Sequence, residues 1–364
     1  MADALSLLLN EAMRLERQNY LKAAPYERCA ERRSYANGFK PKKLNSRVGK
    51  LDLAIPQTRD SGFYPASLEK GLRSERALKL ALAEMYVQGV STRKVARITE
   101  ELCGLEISSS QVSRATKSLD DMLAGWRQRR LDKPYVYVYL DARYEKVREA
   151  GQVINAAVLV ALGVDAAGYR EVLGCSVELS EQEIHWRKFI SDLKNRGLHG
   201  IKLFISDAHE GLKAARTAVF PSVPWQRCQF HLQQNAQKYV PNLSLRKTVA
   251  SEIKSIFNAP NLAEAQRLLG QFTERYAKAA PRLSQWAEEA LPEGFAVFQM
   301  PEAHRRRIRT SNVLERVNKE IKRRTRVATL FPNAKSCERL VCAVVMEISE
   351  EWLTGKKYLT MDET

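Results

Sequence analysis

Asp141 and Asp207 each follow a run of strand-forming residues. Residues 135–140 read Tyr-Val-Tyr-Val-Tyr-Leu and residues 201–205 read Ile-Lys-Leu-Phe-Ile. Such runs predict buried strands, and a polar residue at the end of each lies at a sheet edge, where α/β sites gather. Two hard-oxygen ligands on neighbouring strands suit Mg2+ or Mn2+. A third carboxylate normally completes such a site. Glu315 is the candidate, one turn into a helix expected over residues 311–326. Two cations about 3.5–4 Å apart can activate a water or a 3′-hydroxyl and stabilise the leaving oxygen of a phosphodiester. Each acid also has a plainer reading. The two Asp are candidate cap or turn residues, and Asn312-x-x-Glu315 spells a capping box, with Lys319 one turn further on. Glu320 is a rival to Glu315 but faces elsewhere on the helix.

Cys228 and His231, two residues apart in between, are half a zinc site, and zinc sites need three or four ligands. No second Cys or His pair follows. The pair is therefore read first as support for the acidic site, second as a buried structural pair, and zinc is not expected.

The chain has 364 residues, a net charge of +17 and 45% hydrophobic residues. The excess sits at the two ends: +9 over residues 1–130 and +5 over residues 301–364. Residues 304–326 hold ten Lys or Arg against two Glu. A solvated helix face mixes signs more evenly, so this run points to phosphate, acidic lipid or an acidic partner. No stretch is long and apolar enough to span a membrane, which leaves nucleic acid as the leading partner. Arg305, Arg306, Arg307, Arg309, Lys322, Arg323, Arg324 and Arg326 form the expected phosphate clamp, with Thr310 and Asn312 supporting Glu315. Six cysteines in a chain of this length form no disulfide framework, which predicts a reducing compartment and hence the cytoplasm. Residues 1–20 read as an amphipathic helix rather than a secretory signal.

The elements that must position these groups follow from periodicity. Residues 1–73 read as a mixed region with a short hairpin over residues 46–55, ended by Pro56. Residues 74–130 read as a helical domain. Leu78, Leu82 and Met85 share one face of its first helix, Val95, Ile98 and Leu102 of its second, and Val112, Ala115 and Leu119 of its third. Ser91 or Thr92 caps the second helix, and Ser108 with Gln111 makes a capping box for the third. Arg93, Lys94, Ser109, Ser110, Arg114 and Lys117 lie outward, the pattern of a DNA-binding helix-turn-helix. An ordinary helical pair is the alternative. From residue 131 to the end the chain reads strand, strand, strand, helix, strand, helix, strand, then a helical block at about 229–300, then two helices. Strand–helix alternation alone says α/β.

Four blocks in order carry a resemblance. Leu140-Asp141-Ala142-Arg143-Tyr144, Ile205-Ser206-Asp207-Ala208-His209, the Cys228-to-His231 block, and Thr310-Ser311-Asn312-Val313-Leu314-Glu315-Arg316 resemble those of bacterial Mutator-type insertion-sequence transposases. Tyr35-Ala36-Asn37-Gly38-Phe39 and Phe331-Pro332-Asn333 extend it over about residues 30–335. It departs at Ser311, where the family often has Thr, and at Ala208, where Gly is common. The resemblance implies a ribonuclease H-like DDE catalytic domain with an inserted helical block. It implies Asp141, Asp207 and Glu315 as ligands of two Mg2+ or Mn2+ ions. It implies cleavage at transposon ends and transfer of the freed 3′-OH strand to target DNA. The expected partner is double-stranded DNA, both inverted repeats and target, bound by at least a dimer in the bacterial nucleoid. Related enzymes with helical insertions suggest that Trp286 stacks on a flipped base; a core Trp is the alternative. A catalytically silent DNA-binding regulator and a structure-specific nuclease are the rival functions.

Overall fold

A computed structural model describes residues 1–326 and 328–361, with only the backbone of residue 118. The chain divides into two compact units, Met1–Asp120 and Asp121–Thr364.

The first unit has two small cores. In one, helix α1 (Ala2–Leu21) lies on a hairpin of β1 (Ala36–Ser46) and β2 (Gly49–Thr58), and Met13, Leu44, Leu51, Leu53, Ile55 and Leu68 are buried together. The alternation of β2 puts Leu51, Leu53 and Ile55 inward and Lys50 and Asp52 outward. The hairpin is longer than the sequence suggests. The first six residues of β1 are exposed, so backbone pairing forms the strand with no buried alternation to reveal it. Pro56 does not end β2; it pairs with Phe39 beside an irregularity in the register.

The other core joins α2 (Arg76–Val87), α3 (Thr92–Cys103) and α4 (Ser109–Thr116) through Leu78, Leu82, Val95, Leu105, Ile107, Val112 and Ala115. Ser91 Oγ accepts from Lys94 N, the Ser108–Gln111 capping box is closed, and Gly104 ends α3 in the left-handed region. One expectation fails: Leu102 is 78% exposed. Thr99 is buried on that face instead, its hydroxyl bonded to Val95 O at 2.8 Å, and Leu105 and Ile107 of the turn fill the core. Arg93, Lys94, Ser109, Ser110, Arg114 and Lys117 are all exposed.

In the second unit, β3 (Tyr135–Glu149), β4 (Gln152–Asp165) and β5 (Arg170–Glu178) form an antiparallel meander. β6 (Leu203–Ser206) and β7 (Trp225–Arg227) add parallel strands on the other side of β3, giving the order β5-β4-β3-β6-β7. This is a mixed sheet with helices. Residues 156–165 of β4 are all buried, as an inner strand covered on both faces requires. Helices α6 (Glu183–Asn195) and α7 (Glu210–Val219) cover one face; Trp186, Phe189, Ile190 and Leu193 of α6 meet Val138, Leu140 and Leu159 there.

Helix α5 (Asp120–Gln128) precedes the sheet. Residues 121–130 were expected to close the helix-turn-helix domain, but they pack here: Arg127 pairs with Glu338, and Arg129 donates to Glu171 at 2.9 Å. After β7 come α8 (Gln229–Ala236), α9 (Arg246–Phe257), α10 (Leu262–Tyr276) and α11 (Pro281–Ala290), the expected helical block. Helices α12 (Glu302–Ile308), α13 (Asn312–Thr325) and α14 (Ala334–Thr354) complete the unit.

Candidate functional site

Strand β3 does not stop at Leu140. It continues to Glu149 against β4, with Asp141 opposite Val160. What stops is its pairing with β6, at Tyr139 opposite Ile205. Asp141 therefore stands just past the end of the parallel neighbour that delivers Asp207. The charged half of β3 hid its strand character because one of its faces is covered by polar contacts rather than by an apolar layer.

That face is a ladder of alternate residues. Tyr137 Oη lies 2.7 Å from His304 Nδ1, and Tyr139 Oη donates to Arg307 O at 3.2 Å. Asp141 Oδ2 accepts from Asn318 Nδ2 at 2.8 Å. Arg143 donates to Asn318 O, and Glu145 accepts from Thr325 Oγ1 at 3.0 Å. Beyond it, Val147 pairs with Phe331, whose N–H reaches Lys146 O at 2.9 Å. One strand face thus fixes α12, α13 and the segment after them. Both ring nitrogens of His304 are engaged, Nδ1 by Tyr137 of this ladder and Nε2 by Thr360 O at 2.8 Å.

Burial pushes the Asp141 carboxyl up to about 6; the Ala142 N–H and the charge of His231 oppose this, while Asp207 and Glu181 add to it. Asp207, one residue past β6, takes an N–H from Ala208 at 2.8 Å, and its Oδ2 lies 3.8 Å from His231 Nδ1. Cys228, at the end of β7, is fully buried and donates its N–H to Ser206 O at 2.8 Å. Its sulfur accepts from Ser311 N at 3.4 Å and is hydrogen-bonded to His231. Burial raises the Cys228 thiol, but the bonds from His231 and Ser311 outweigh it and hold the thiol below its usual range. The same bond to Cys228 lifts His231 to about 9 against the cost of burial.

Glu315 lies in the first turn of α13. The capping box proposed as its plainer role is not formed: Ser311 is the N-cap, without a side-chain cap bond, and Asn312 is already helical and exposed. Ser311, Glu315 and Asn318 are spaced four and three residues apart, one stripe of the helix. Ser311 touches Cys228 and Asn318 touches Asp141. Glu315 sits between those two anchors, half-buried. The structure thus brings Asp141, Asp207, Cys228 and His231 into one neighbourhood and aligns Glu315 with them. Among the described residues, no three of the His, Cys, Asp and Glu side chains are grouped tightly enough to hold a metal ion.

The basic run divides. Arg324 is buried, paired with Glu347 and with Glu320 at 2.8 Å. Arg305 donates to Met300 O, Pro260 O and Phe298 O at 2.8–3.2 Å. Both are committed to holding the fold and leave the expected phosphate clamp. Arg323 is 58% exposed and paired with Glu320, whose carboxyl its bonds hold down at about 2. Arg306, Arg307, Lys322 and Arg326 are exposed, Arg307 beside the Tyr358 ring, and Arg309 bonds Asn258 at 2.6 Å. Thr310 is half-buried in the turn before α13. Trp286 stacks on Tyr239, ring centroids 5.4 Å apart and planes 19° from parallel.

Sequence reasoning missed Asn318 and Glu181. Asn318 was legible from helical spacing, one turn beyond Glu315. Glu181 lies in the loop before α6, where no periodicity marks it; it accepts from Tyr144 Oη at 2.7 Å and approaches His209 at 3.7 Å.

Residues 1–355 match a family described as "Transposase, Mutator family". The chain is 55% identical over 362 residues to the transposase for insertion sequence element IS406 of Burkholderia multivorans, covering 99% of this chain and 93% of that protein. It is 42% identical to the transposase for ISRM5 of Rhizobium meliloti, over 99% and 90% of the two chains. It is 38% identical to the transposase for IS256 in transposon Tn4001 of Staphylococcus aureus, over 99% and 93%. Among solved structures, the Drosophila P element transposase strand transfer complex is similar over 79% of this chain and 83% of that one, at 10% identity and a TM-score of 0.32, too slight to inform the fold.

Proposed function

The chain belongs to the Mutator family of transposases, and on that premise we propose that it binds the terminal inverted repeats of its element, cleaves the phosphodiester at each end and joins the freed 3′-OH to target DNA. Family membership implies an enzyme that cuts DNA and transfers strands with the help of a divalent cation. The catalytic acids in this reading are Asp141, Asp207 and Glu315, on a ribonuclease H-like domain. Support for that domain is the strand order, a three-stranded antiparallel meander followed by two parallel strands. The observation that carries the site is the α13 stripe, which ties Glu315 to Asp141 through Asn318 and to Cys228 through Ser311.

The donor set fits Mg2+ or Mn2+. It is all carboxylate oxygen, and Asp141 is held in a buried place that also feels Asp207 and Glu181. Divalent cations bound there, two with DNA present, would supply polarisation of the attacking water or 3′-hydroxyl and neutralise charge on the leaving oxygen. Asn318 donates to one Asp141 oxygen and the Ala142 N–H to the other, which together fix the carboxylate's orientation. His231 stands beside Asp207, its Nδ1 3.8 Å from Asp207 Oδ2, and orients that side of the site. Exposed cations of α12 and α13 hold phosphates, and the outward residues of α3 and α4 read bases in the major groove. Two DNA ends must meet, so at least two copies act together on DNA, in the bacterial cytoplasm.

The Asp141→Asn variant tests this. It should bind duplexes carrying the terminal repeat with wild-type affinity, yet neither nick nor join them in Mg2+. EDTA should stop nicking by the wild type and leave binding intact. Normal nicking by Asp141→Asn would reject the assignment. Cutting of branched DNA without joining would make the protein a structure-specific nuclease.

A further inference from the structure

The segment after α14 folds back onto the sheet. Tyr358 N and Leu359 N both donate to Gly168 O, at 2.8 and 3.2 Å, and Thr360 O lies 2.8 Å from His304 Nε2. Gly168 sits in the turn between β4 and β5 at a φ of +86°, and a Cβ there would meet Leu359 O at 1.9 Å. Only glycine lets the segment dock this closely. Docking gathers three arginines from three elements around one ring. The Arg170 guanidinium, at the start of β5, lies 4.8 Å from the centre of the Tyr358 ring and 4.3 Å from that of Trp352 in α14. The Arg307 guanidinium of α12 lies 5.3 Å from the Tyr358 ring. Arg316 of α13 is near enough for its charge to act on both Arg170 and Tyr358.

Among the described residues none of these three arginines is in an ion pair; Glu320 and Glu347 are taken by Arg323 and Arg324. Burial, Arg316 and Arg307 all push the Arg170 guanidinium below its usual range. Arg307 and Arg316 are exposed and Arg170 is half-buried. Stacking occupies the face of a guanidinium and leaves its N–H donors free in the plane, where they match the oxygens of a phosphate. The acids are close by. Tyr139 and Tyr358 both donate to Arg307 O, at 3.2 and 3.3 Å. Tyr139 is two residues before Asp141 on the same strand face, about 7 Å along it, and Arg316 follows Glu315. We propose that Arg170, Arg307 and Arg316, braced by Trp352 and Tyr358, seat one backbone phosphate of the DNA strand that passes the acids, within a few nucleotides of the bond to be cut. Arg307 belongs to the expected clamp, whereas Arg170 and the two aromatic braces lie outside the basic run. The proposal rests on the transposase reading and adds to it a place where a single phosphate is held.

The test is a binding cycle with the full-length protein in Ca2+, where no chemistry is needed. The probes are duplexes of the element's own terminal repeat, unmodified or with one phosphate near the end of the repeat replaced in turn by a neutral methylphosphonate. Wild type should bind about tenfold more weakly when the seated phosphate is neutral. Arg170→Gln and Arg316→Gln should bind the unmodified duplex about tenfold more weakly than wild type and lose nothing further at that one position, while still losing affinity at other contacted phosphates. Arg316 is exposed, so its variant decides the matter if Arg170→Gln melts early. Wild-type affinity of Arg316→Gln for the unmodified duplex, or an undiminished further loss at every methylphosphonate, would overturn the cradle. Absence of nicking by the wild type in Mg2+ would overturn the transposase reading alone, since the binding cycle needs no cleavage.

Discussion

Cys228 joins two parts of the site through one sulfur atom. It accepts from Ser311 at the start of α13 and bonds His231, which faces Asp207. In Cys228→Ala the Ser311 N–H loses its acceptor in a place where Ser311 is 1% exposed. Leaving such a donor unsatisfied costs about 1–3 kcal/mol, so thermal denaturation of this variant should show a clear loss of stability. Cys228→Ser keeps an acceptor and should recover part of it; identical melting of the two variants would argue against the bond. At this scale the sequence was legible where chemistry sits beside pattern. Asp141 and Asp207 stood out because apolar runs precede them. Asn318 and Glu181 were not read, because each acquires its meaning from a partner far away in the chain: Asn318 from a strand 177 residues earlier and Glu181 from Tyr144, 37 residues earlier.

In the proposed function helix α13 has a structural face and a phosphate-binding face, and substitutions should separate them. Arg324 points inward to Glu347 and Glu320. Its side chain is 6% exposed, but the two carboxylates are 33% and 30% exposed. Arg324→Ala should therefore cost about 2 kcal/mol, below the loss typical of a fully buried pair, and leave the salt dependence of DNA binding unchanged. Lys322 is exposed. Lys322→Ala should leave melting unchanged and make the salt slope of end binding shallower by about one. If the slope stays put in Lys322→Ala, this face does not meet phosphate. The sequence marked α13 as basic but could not say which cations face inward, because the acid that claims Arg324 most firmly comes from α14. The second half of β3 and the start of β1 were missed for a related reason. Their side chains follow polar contacts or solvent, so the alternation that betrays a strand is absent.

On the scale of the whole chain, the two units have separate cores. Residues 1–120 expressed alone should melt cooperatively and retain terminal-repeat duplexes without cleaving them. An unfolded fragment, or one blind to the repeat, would show that the unit does not stand by itself. The order of strands was legible here, since each strand is a distinct apolar run; the boundary after residue 120 was not, because α5 looks like one more helix of a helical domain until Glu338 and Glu171 supply its partners. The docking of α13 along β3 has a consequence for how such chains can vary. The spacing between the first and third acids is set inside one strand and the helix laid upon it. The α8–α11 segment is moored by Cys228 and Gln229 at its start, and by Asn258 and Pro260 after α9, which take bonds from Arg309 and Arg305, and it acts as no ruler between those acids. Its outer helices are free to be resized or exchanged, by descent or by engineering, while the acids keep their places.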